Sequence, residues 1–270
     1  MMRFFNWHWI IRGFFLGLLA FAIFGPLANL LLWTIAERWY FPHTLPSQYG
    51  FSFWGSVFSE RGGALSSLVT SLFIATLTVI VSLVIAIPAG YALARLPMPC
   101  RSLIMLMLLI PQAFPNLPVY VNIAQIFYSL GLNGTLLGVV LVHVTHGLVY
   151  AVWIVTATFS AIDIELENAA RSMGASAMRT FYDVTLPMAK YGIFASSIFV
   201  FLESLDEFTG TFFVGAPDIQ TLPLLLYTAA SGGNYQIASI TALILLIPSI
   251  GFMFLIERFL KADVLSKMGR

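Results

Sequence analysis

The chain has 270 residues, of which 59% are hydrophobic and only 9% are charged. Soluble domains carry roughly 25% charged residues, so this composition excludes a soluble fold and indicates a protein that the bilayer solvates. A formal net charge of +1 gives no sign of the clustered basic surface that nucleic-acid binding requires, and we discard that class. The single cysteine, Cys100, excludes an internal disulfide.

Uncharged stretches mark the candidate spans, because a helix needs about 20 apolar residues to cross the hydrocarbon. We predict an all-α, polytopic membrane protein with six transmembrane helices in a single domain, residues 1–270. The spans fall at about 13–36, 66–94, 102–125, 134–160, 190–210 and 235–256. The first is longer than the apolar core of a cleaved signal peptide, so we expect a retained helix.

The third predicted span contains Pro111, Pro115 and Pro118. Each proline removes a backbone donor and clashes with the preceding turn, so this span should be kinked or interrupted. The fourth carries His143 and His146, three residues apart and able to share a face. They suggest a metal site or proton relay, or histidines that hydrogen-bond between helices.

The distribution of Lys and Arg sets the orientation, because cytoplasmic loops carry them in excess. Placing both termini in the cytoplasm leaves only Arg38 and Arg61 outside, among 13 basic residues. The basic residues then inside are Arg3, Arg12, Arg95, Arg101, Arg171, Arg179, Lys190, Arg258, Lys261, Lys267 and Arg270. We therefore predict cytoplasmic termini and a cytoplasmic segment at 162–190.

This segment, 162–190, is the polar connection between the fourth and fifth spans. Asp163, Glu165 and Glu167 stand near its start, where a helix macrodipole favours negative charge, and small residues follow. Its later residues read Ala169-Ala170, then Gly174 after three positions, Val184 after nine more, and Leu186-Pro187. The small side chains would permit close approach of another protein.

That spacing resembles the permease subunits of binding-protein-dependent ATP-binding-cassette importers, over about residues 65–258. Their signature in this loop is E-A-A, three residues, G, nine residues, I-x-L-P. Asn168 stands where the signature has its acid, with Glu167 one position earlier, and Val184 replaces Ile. The resemblance implies a type I importer fold and a loop that couples to an ATPase through Glu167, Asn168, Ala169, Ala170, Gly174, Val184, Leu186 and Pro187.

The resemblance also implies partners: a second homologous permease, two ATPase subunits, and a periplasmic or lipid-anchored solute receptor, all at a bacterial inner membrane. No Gly-x-x-x-x-Gly-Lys-Ser/Thr phosphate loop occurs in the sequence. ATP and Mg²⁺ should therefore be bound by the partner ATPase. We expect no catalytic residues, metal ligands or cofactors in this chain.

Three acids interrupt the fifth predicted span. Only 12 uncharged residues, 191–202, separate Lys190 from Glu203, which is too few to cross the membrane. The helix should therefore continue through Glu203, Asp206 and Glu207. At 100° per residue these positions share an arc of about 100°. Ionisable groups inside a membrane generally face the bundle interior or an aqueous cavity. We expect them to line a pathway for a cationic substrate, or else to pair with the partner permease or lie at the outer interface.

The residues around these acids resemble the polyamine (spermidine/putrescine) branch of the family. They are Ser204-Leu205-Asp206-Glu207, Phe213-Val214-Gly215-Ala216-Pro217 and Thr221-Leu222-Pro223-Leu224. Branches for phosphonates, thiamine and ferric iron share parts of the pattern and stay open. Two other classes are considered: a proton-coupled secondary transporter that uses the histidines and acids, and an intramembrane hydrolase, for which no nucleophile motif is evident.

Overall fold

The computed structural model describes residues 7–40 and 42–268, and within these the side chains of residues 7, 11–40 and 42–255. Arg3 and Arg270, used in the orientation argument, lie outside the described residues. The side chains of Arg258, Lys261 and Lys267 do so as well.

Helices account for most of the described chain, as the predicted all-α class requires. In chain order the elements are α1 (Trp7–Thr34), β1 (Ala36–Arg38), β2 (Gln48–Tyr49), α2 (Ser52–Phe58), α3 (Ala64–Arg95), α4 (Arg101–Ala113), α5 (Asn116–Ser129), α6 (Leu136–Ser160), α7 (Ile164–Ser172), α8 (Ala177–Thr180), a π-helical turn (Phe181–Thr185), α9 (Leu186–Asp206), α10 (Thr209–Val214), α11 (Leu222–Ser231) and α12 (Tyr235–Met268).

Within the described residues, five helices are long and apolar enough to cross a membrane, and a bent helix pair brings the number to six. The five correspond to the predicted first, second, fourth, fifth and sixth spans. The sixth is the pair α4 and α5, which meet at an angle of 96°. Six predicted spans are therefore accounted for.

The bend in the third span lies at Phe114 and Pro115, inside the stretch where three prolines predicted an interruption. Phe114 is extended, with φ −89° and ψ 147°. A residue before proline is driven out of the helical region by the proline ring, which ends α4 at this point. Pro111 lies within α4 and Pro118 in the first turn of α5, so only the middle proline, Pro115, interrupts the helix.

The chain divides into two compact units, Met1–Ala64 with Leu226–Leu243, and Leu65–Leu225 with Ile244–Arg270. In the first unit, β1 and β2 pair antiparallel after α1. The indole of Trp54 donates to the carbonyl of Thr34 at 2.9 Å, which ties α2 to the end of α1. Trp33 and Trp39 stack with ring centroids 4.4 Å apart. The prediction of one membrane domain stays a prediction.

Helix α6 is the centre of the second unit. Its buried residues include Ala151, Val155 and Phe159, which pack in one apolar cluster with Ala86 of α3 and Ala189 of α9. The approach to α3 is close at Gly90. A Cβ there would lie 2.8 Å from Cγ1 of Val155 and 3.0 Å from the backbone nitrogen of Thr156. Glycine therefore lets the two long helices pack backbone against side chain.

Helix α9 ends earlier than the sequence predicts. Glu203 and Asp206 lie on the helix, but Glu207 has left it, with φ −75° and ψ 114°. The prediction that one helical face carries all three acids is therefore wrong for Glu207. The carboxylate of Glu207 bonds to the backbone of the next helix, α10, and this contact competes with continuation of α9.

Candidate functional site

The loop between α6 and α9 contains the short helix that its acidic start predicted. Asp163 precedes α7 and accepts a hydrogen bond from the backbone nitrogen of Glu165 at 3.0 Å, which satisfies one of the open donors of the first turn. Glu165 and Glu167 lie in that first turn and Arg171 in the last, an order that complements the helix dipole. Local sequence alone therefore specifies where this helix begins.

Glu167 faces inward and fastens α7 to the end of α3. Its Oε1 accepts from Nε of Arg95 at 2.8 Å, and its Oε2 accepts from the hydroxyl of Tyr91 at 3.0 Å. Arg95 also donates through Nη2 to the carbonyl of Ile162 at 2.9 Å. Both partners of the ion pair are buried. We call this contact the Arg95–Glu167 bridge.

Arg95 and Tyr91 did not figure among the candidate site residues. They stand four residues apart at the end of an uncharged span and therefore share a helix face. This polar face is the feature of the sequence that could have identified them. Nothing in the sequence, however, says which of the three loop acids they meet.

The other signature residues in and just after α7 differ in their surroundings. Asn168 and Ala169 are exposed, while Ala170 is buried against the protein. Gly174 has φ +91°, a conformation that L side chains rarely adopt, and no atom lies within 4 Å of where its Cβ would be. The glycine is therefore required by the backbone turn and not by crowding within this chain.

Val184, Leu186 and Pro187 lie in the π-helical turn and the first turn of α9. Thr180, Thr185 and Leu186 all have right-handed helical dihedrals, so α8 continues through the π-helical turn into α9 without a break. The predicted coupling residues therefore fall into two groups. One group lies in and just after α7, and the other lies in the continuous helix that enters the fifth span.

Large apolar side chains are exposed around α7. Met173 is 84% exposed and Met178 is 66% exposed, and Ile164 and Leu166 are exposed beside them. We call these four residues the loop's apolar surface. Exposed apolar side chains of this size are candidates for burial against another protein.

A second site candidate lies where α9 ends. Glu207 is buried, and both of its oxygens are occupied: Oε1 accepts from the backbone nitrogen of Gly210 at 2.6 Å and Oε2 from the hydroxyl of Tyr120 at 3.0 Å. Tyr120 belongs to α5, just after the bend. Glu207 therefore holds α5 and α10 together.

Glu203 and Asp206 differ from Glu207 in having room for other contacts. The side chain of Glu203 is 35% exposed, and its Oε1 lies 3.9 Å from Nε2 of His146. His146 also lies 3.2 Å, through Nδ1, from the hydroxyl of Tyr120. The side chain of Asp206 is exposed, and its carboxylate has no hydrogen-bond or ion-pair partner among the residues that the structure describes. Two carboxylates thus remain available on α9.

The two histidines of α6 have separate surroundings. His143 is buried, with Nδ1 2.7 Å from Oγ of Ser204 and Nε2 2.8 Å from Oγ1 of Thr211. It is a hydrogen-bonded interhelical residue, one of the two interpretations that the sequence left open. Among the described side chains there is no group of three or more potential metal ligands.

Apolar spans, a broken third helix and a short outward helix between the fourth and fifth spans define the membrane subunit of a type I importer. The chain belongs to the family described as binding-protein-dependent transport system inner membrane component, which matches residues 82–264. It is therefore a multi-pass permease subunit of an ATP-binding-cassette transporter and not itself an enzyme. The secondary transporter and the intramembrane hydrolase are set aside.

Several relatives are similar over most of their length. A putative ABC transporter permease protein, ORF1, of Streptomyces antibioticus is 31% identical over 77% of this chain and 92% of its own. The trehalose transport system permease protein SugB of Mycobacterium tuberculosis is 28% identical, over 82% of each chain. A putative 2-aminoethylphosphonate transport system permease protein of Salmonella typhi is 26% identical over 88% of this chain and 90% of its own.

A solved structure shares the fold. A chain of a bacterial ABC transporter that imports the acidic polysaccharide alginate has a TM-score of 0.68 and 17% identity, covering 96% of this chain and 98% of that one. The substrates named among these similar proteins are sugars and a phosphonate, which does not support the polyamine branch that the sequence suggested.

Proposed function

We propose that this chain forms half of the translocation pathway of an ATP-driven importer at a bacterial inner membrane, with both termini cytoplasmic. A second, homologous permease supplies the other half. A pair of ATPase subunits binds ATP and Mg²⁺ on the cytoplasmic side, and a periplasmic or lipid-anchored receptor delivers the solute.

One observation carries the proposal: a short helix with exposed apolar side chains is fastened by a buried ion pair to the end of a membrane span. The ATPase would cover the loop's apolar surface, removing its side chains from water. Movement of α7 would then pass to α3 through the Arg95–Glu167 bridge, and to α9 through the uninterrupted helix that follows α8.

Glu203 and Asp206 are the residues that we assign to the solute pathway. Carboxylates are not stable against lipid hydrocarbon, so the face of α9 that exposes them must meet water or protein. Among the described residues, His146 is the one basic side chain within 4.0 Å of either acid. Glu207, with both oxygens occupied, has a positioning role instead.

Two available carboxylates would repel an anion, so we propose a solute without net negative charge. A neutral sugar agrees with the trehalose permease among the relatives. Spermidine or putrescine agrees with the acids but lacks support from relatives. A simple oxyanion does not agree with the acids, because the two carboxylates would repel it.

The test is uptake into proteoliposomes that contain the chain with its partner permease, ATPase and receptor. Radiolabelled trehalose, spermidine and 2-aminoethylphosphonate are supplied separately, with and without ATP inside. We expect accumulation of trehalose or spermidine that requires ATP. Uptake that persists without ATP, or uptake of the phosphonate alone, would contradict the proposal.

Variants then locate the pathway. Glu203→Gln and Asp206→Asn should sharply reduce uptake while the ATPase stays bound, because the solute loses charged hydrogen-bond acceptors. Glu60→Gln, at an exposed acid between α2 and α3, is the matched control. Normal uptake by both α9 variants would remove these acids from the pathway.

A further inference from the structure

A cavity of about 470 Å³ opens between the end of α3, helix α7 and helix α8. Arg171 and Asn168 supply polar groups to its wall, and Ile164, Met178 and Phe181 supply apolar ones. We call it the Arg171 cleft. We propose that it receives a large side chain of the ATPase subunit together with a neighbouring carboxylate that pairs with Arg171. This inference rests on the proposed function and names the chemistry of that contact.

The charges of the cleft point to an acidic partner. Arg95 lines it too, but that guanidinium already donates to Glu167 and to the carbonyl of Ile162. The guanidinium of Arg171 has no hydrogen-bond or ion-pair partner in the part of the chain that the structure describes. A guanidinium presents a planar fork of donors that matches a carboxylate in two parallel hydrogen bonds.

Arg171 lies one helical turn from Glu167, but that acid is not available to pair with it. Glu167 is the nearest acid in sequence on α7 that faces the cleft, and both of its oxygens are already bonded. By contrast, Arg179, the other arginine of this loop, pairs with Asp183 four residues on, at 3.2 Å. The loop therefore satisfies one arginine internally and leaves the other available.

Two residues of the loop's apolar surface, Ile164 and Met178, also line the cleft. A protein that covers these two exposed side chains therefore also covers the mouth of the cleft. A volume of this size is within the range of pockets that hold small molecules, roughly 300–1,000 Å³, and accommodates a large apolar side chain. The same partner would thus fill the apolar part and neutralise Arg171.

The experiment compares arginine variants in the assembled transporter. The tagged chain is co-expressed with its partner permease and ATPase, and the amount of ATPase retained per permease is measured after purification. Arg171→Glu should lower retention by about tenfold or more, because truncation of a closely paired charge commonly has effects of that size. Arg171→Lys should give a retention between that of the wild type and that of Arg171→Glu, since lysine keeps the positive charge but lacks the planar fork of donors.

Arg179→Glu is the matched control and should retain the ATPase, because that arginine has its partner within the loop. If charge reversal prevents assembly, Arg171→Gln takes its place. The size-exclusion profile then shows whether this variant assembles. A Glu→Lys or Asp→Lys variant of the ATPase that restores retention with Arg171→Glu would identify the paired carboxylate.

The outcomes separate this inference from the proposed function. If the wild-type chain retains no ATPase, the proposed function fails. If the wild type retains it and Arg171→Glu and Arg171→Gln retain it equally, the inference is overturned and the proposed function stands. If these variants change only the amount of co-purified anionic phospholipid, the cleft is a lipid site and the inference is again overturned.

Discussion

Nε of Arg95 lies 2.8 Å from Oε1 of Glu167, joining the last residue of α3 to the first turn of α7. The pair brings together residues 72 positions apart in the sequence. Because both side chains are buried, the bridge fixes the position of the loop helix against a membrane span.

Glu167→Gln should destabilise the transporter and reduce ATP-driven uptake. It leaves Arg95 buried without its counter-charge, and breaking a buried ion pair in this way costs about 3–5 kcal/mol. The midpoint of thermal unfolding in detergent measures the effect. Glu165→Gln, at an exposed acid of the same helix, is the control.

A double-mutant cycle separates pairing from burial. Arg95→Met with Glu167→Leu should cost less than the two single changes added together, because neither charge is then left alone. Additive effects would show that the bridge does not couple the two residues.

Gly174→Ala should weaken coupling without disturbing membrane insertion. At φ +91° an added Cβ strains the backbone although the surrounding space is open, and the cost is about 1 kcal/mol or more. Gly174→Asn should be milder, since Asn tolerates positive φ better. Gly174→Asp should uncouple ATP hydrolysis from transport. The ratio of ATP hydrolysed to solute imported is the measurement.

Gly251→Ala is the control for these variants, because that glycine is in α12 with no atom within 4 Å of its Cβ position and no positive φ. A hydrolysis-to-transport ratio that is the same in Gly174→Ala, Gly174→Asp and Gly251→Ala would mean that the turn at Gly174 plays no part in coupling.

Gly90→Ala should lower the unfolding midpoint by disturbing the contact of α3 with α6. The added methyl would press on the backbone nitrogen of Thr156, which cannot rotate away as a side-chain tip could. Overpacking of this kind typically costs about 1–3 kcal/mol. Gly55→Ala, where no atom lies within 4 Å, should be neutral. Equal midpoints for the two would contradict the close approach.

His143→Ala should destabilise the protein. It removes the common partner of Ser204 and Thr211, leaving two buried hydroxyls without it, and each unsatisfied polar group costs about 1–3 kcal/mol. His43→Ala, at an exposed histidine, should leave the unfolding midpoint unchanged. A stable His143→Ala protein that has lost uptake would instead point to a role in transport.

The spacing of charges and prolines predicted most of the fold. Long uncharged stretches located the spans, and Pro115 located the break in the third, because these features act within a few residues of chain. The loop helix followed in the same way from Asp163 and the acids after it. Such local rules do not require knowledge of neighbouring helices.

Long-range contacts were beyond that reasoning. The inward position of Glu167 depends on Arg95 and Tyr91, more than 70 residues away. Helical periodicity placed Glu207 beside Glu203 and Asp206, yet bonds to Tyr120 and Gly210 draw it out of the helix. Periodicity cannot detect a partner that competes with the helix from another segment.

Photo-cross-linking from position 173 tests the central proposal most directly. Met173, the most exposed apolar residue of the loop's apolar surface, is replaced by a photoreactive phenylalanine analogue in the reconstituted transporter, and Tyr49 of β2 is replaced in the same way for comparison. We predict that position 173 cross-links to the ATPase subunit and that position 49 does not. A cross-link from position 173 to the solute receptor, or from position 49 to the ATPase, would contradict the account.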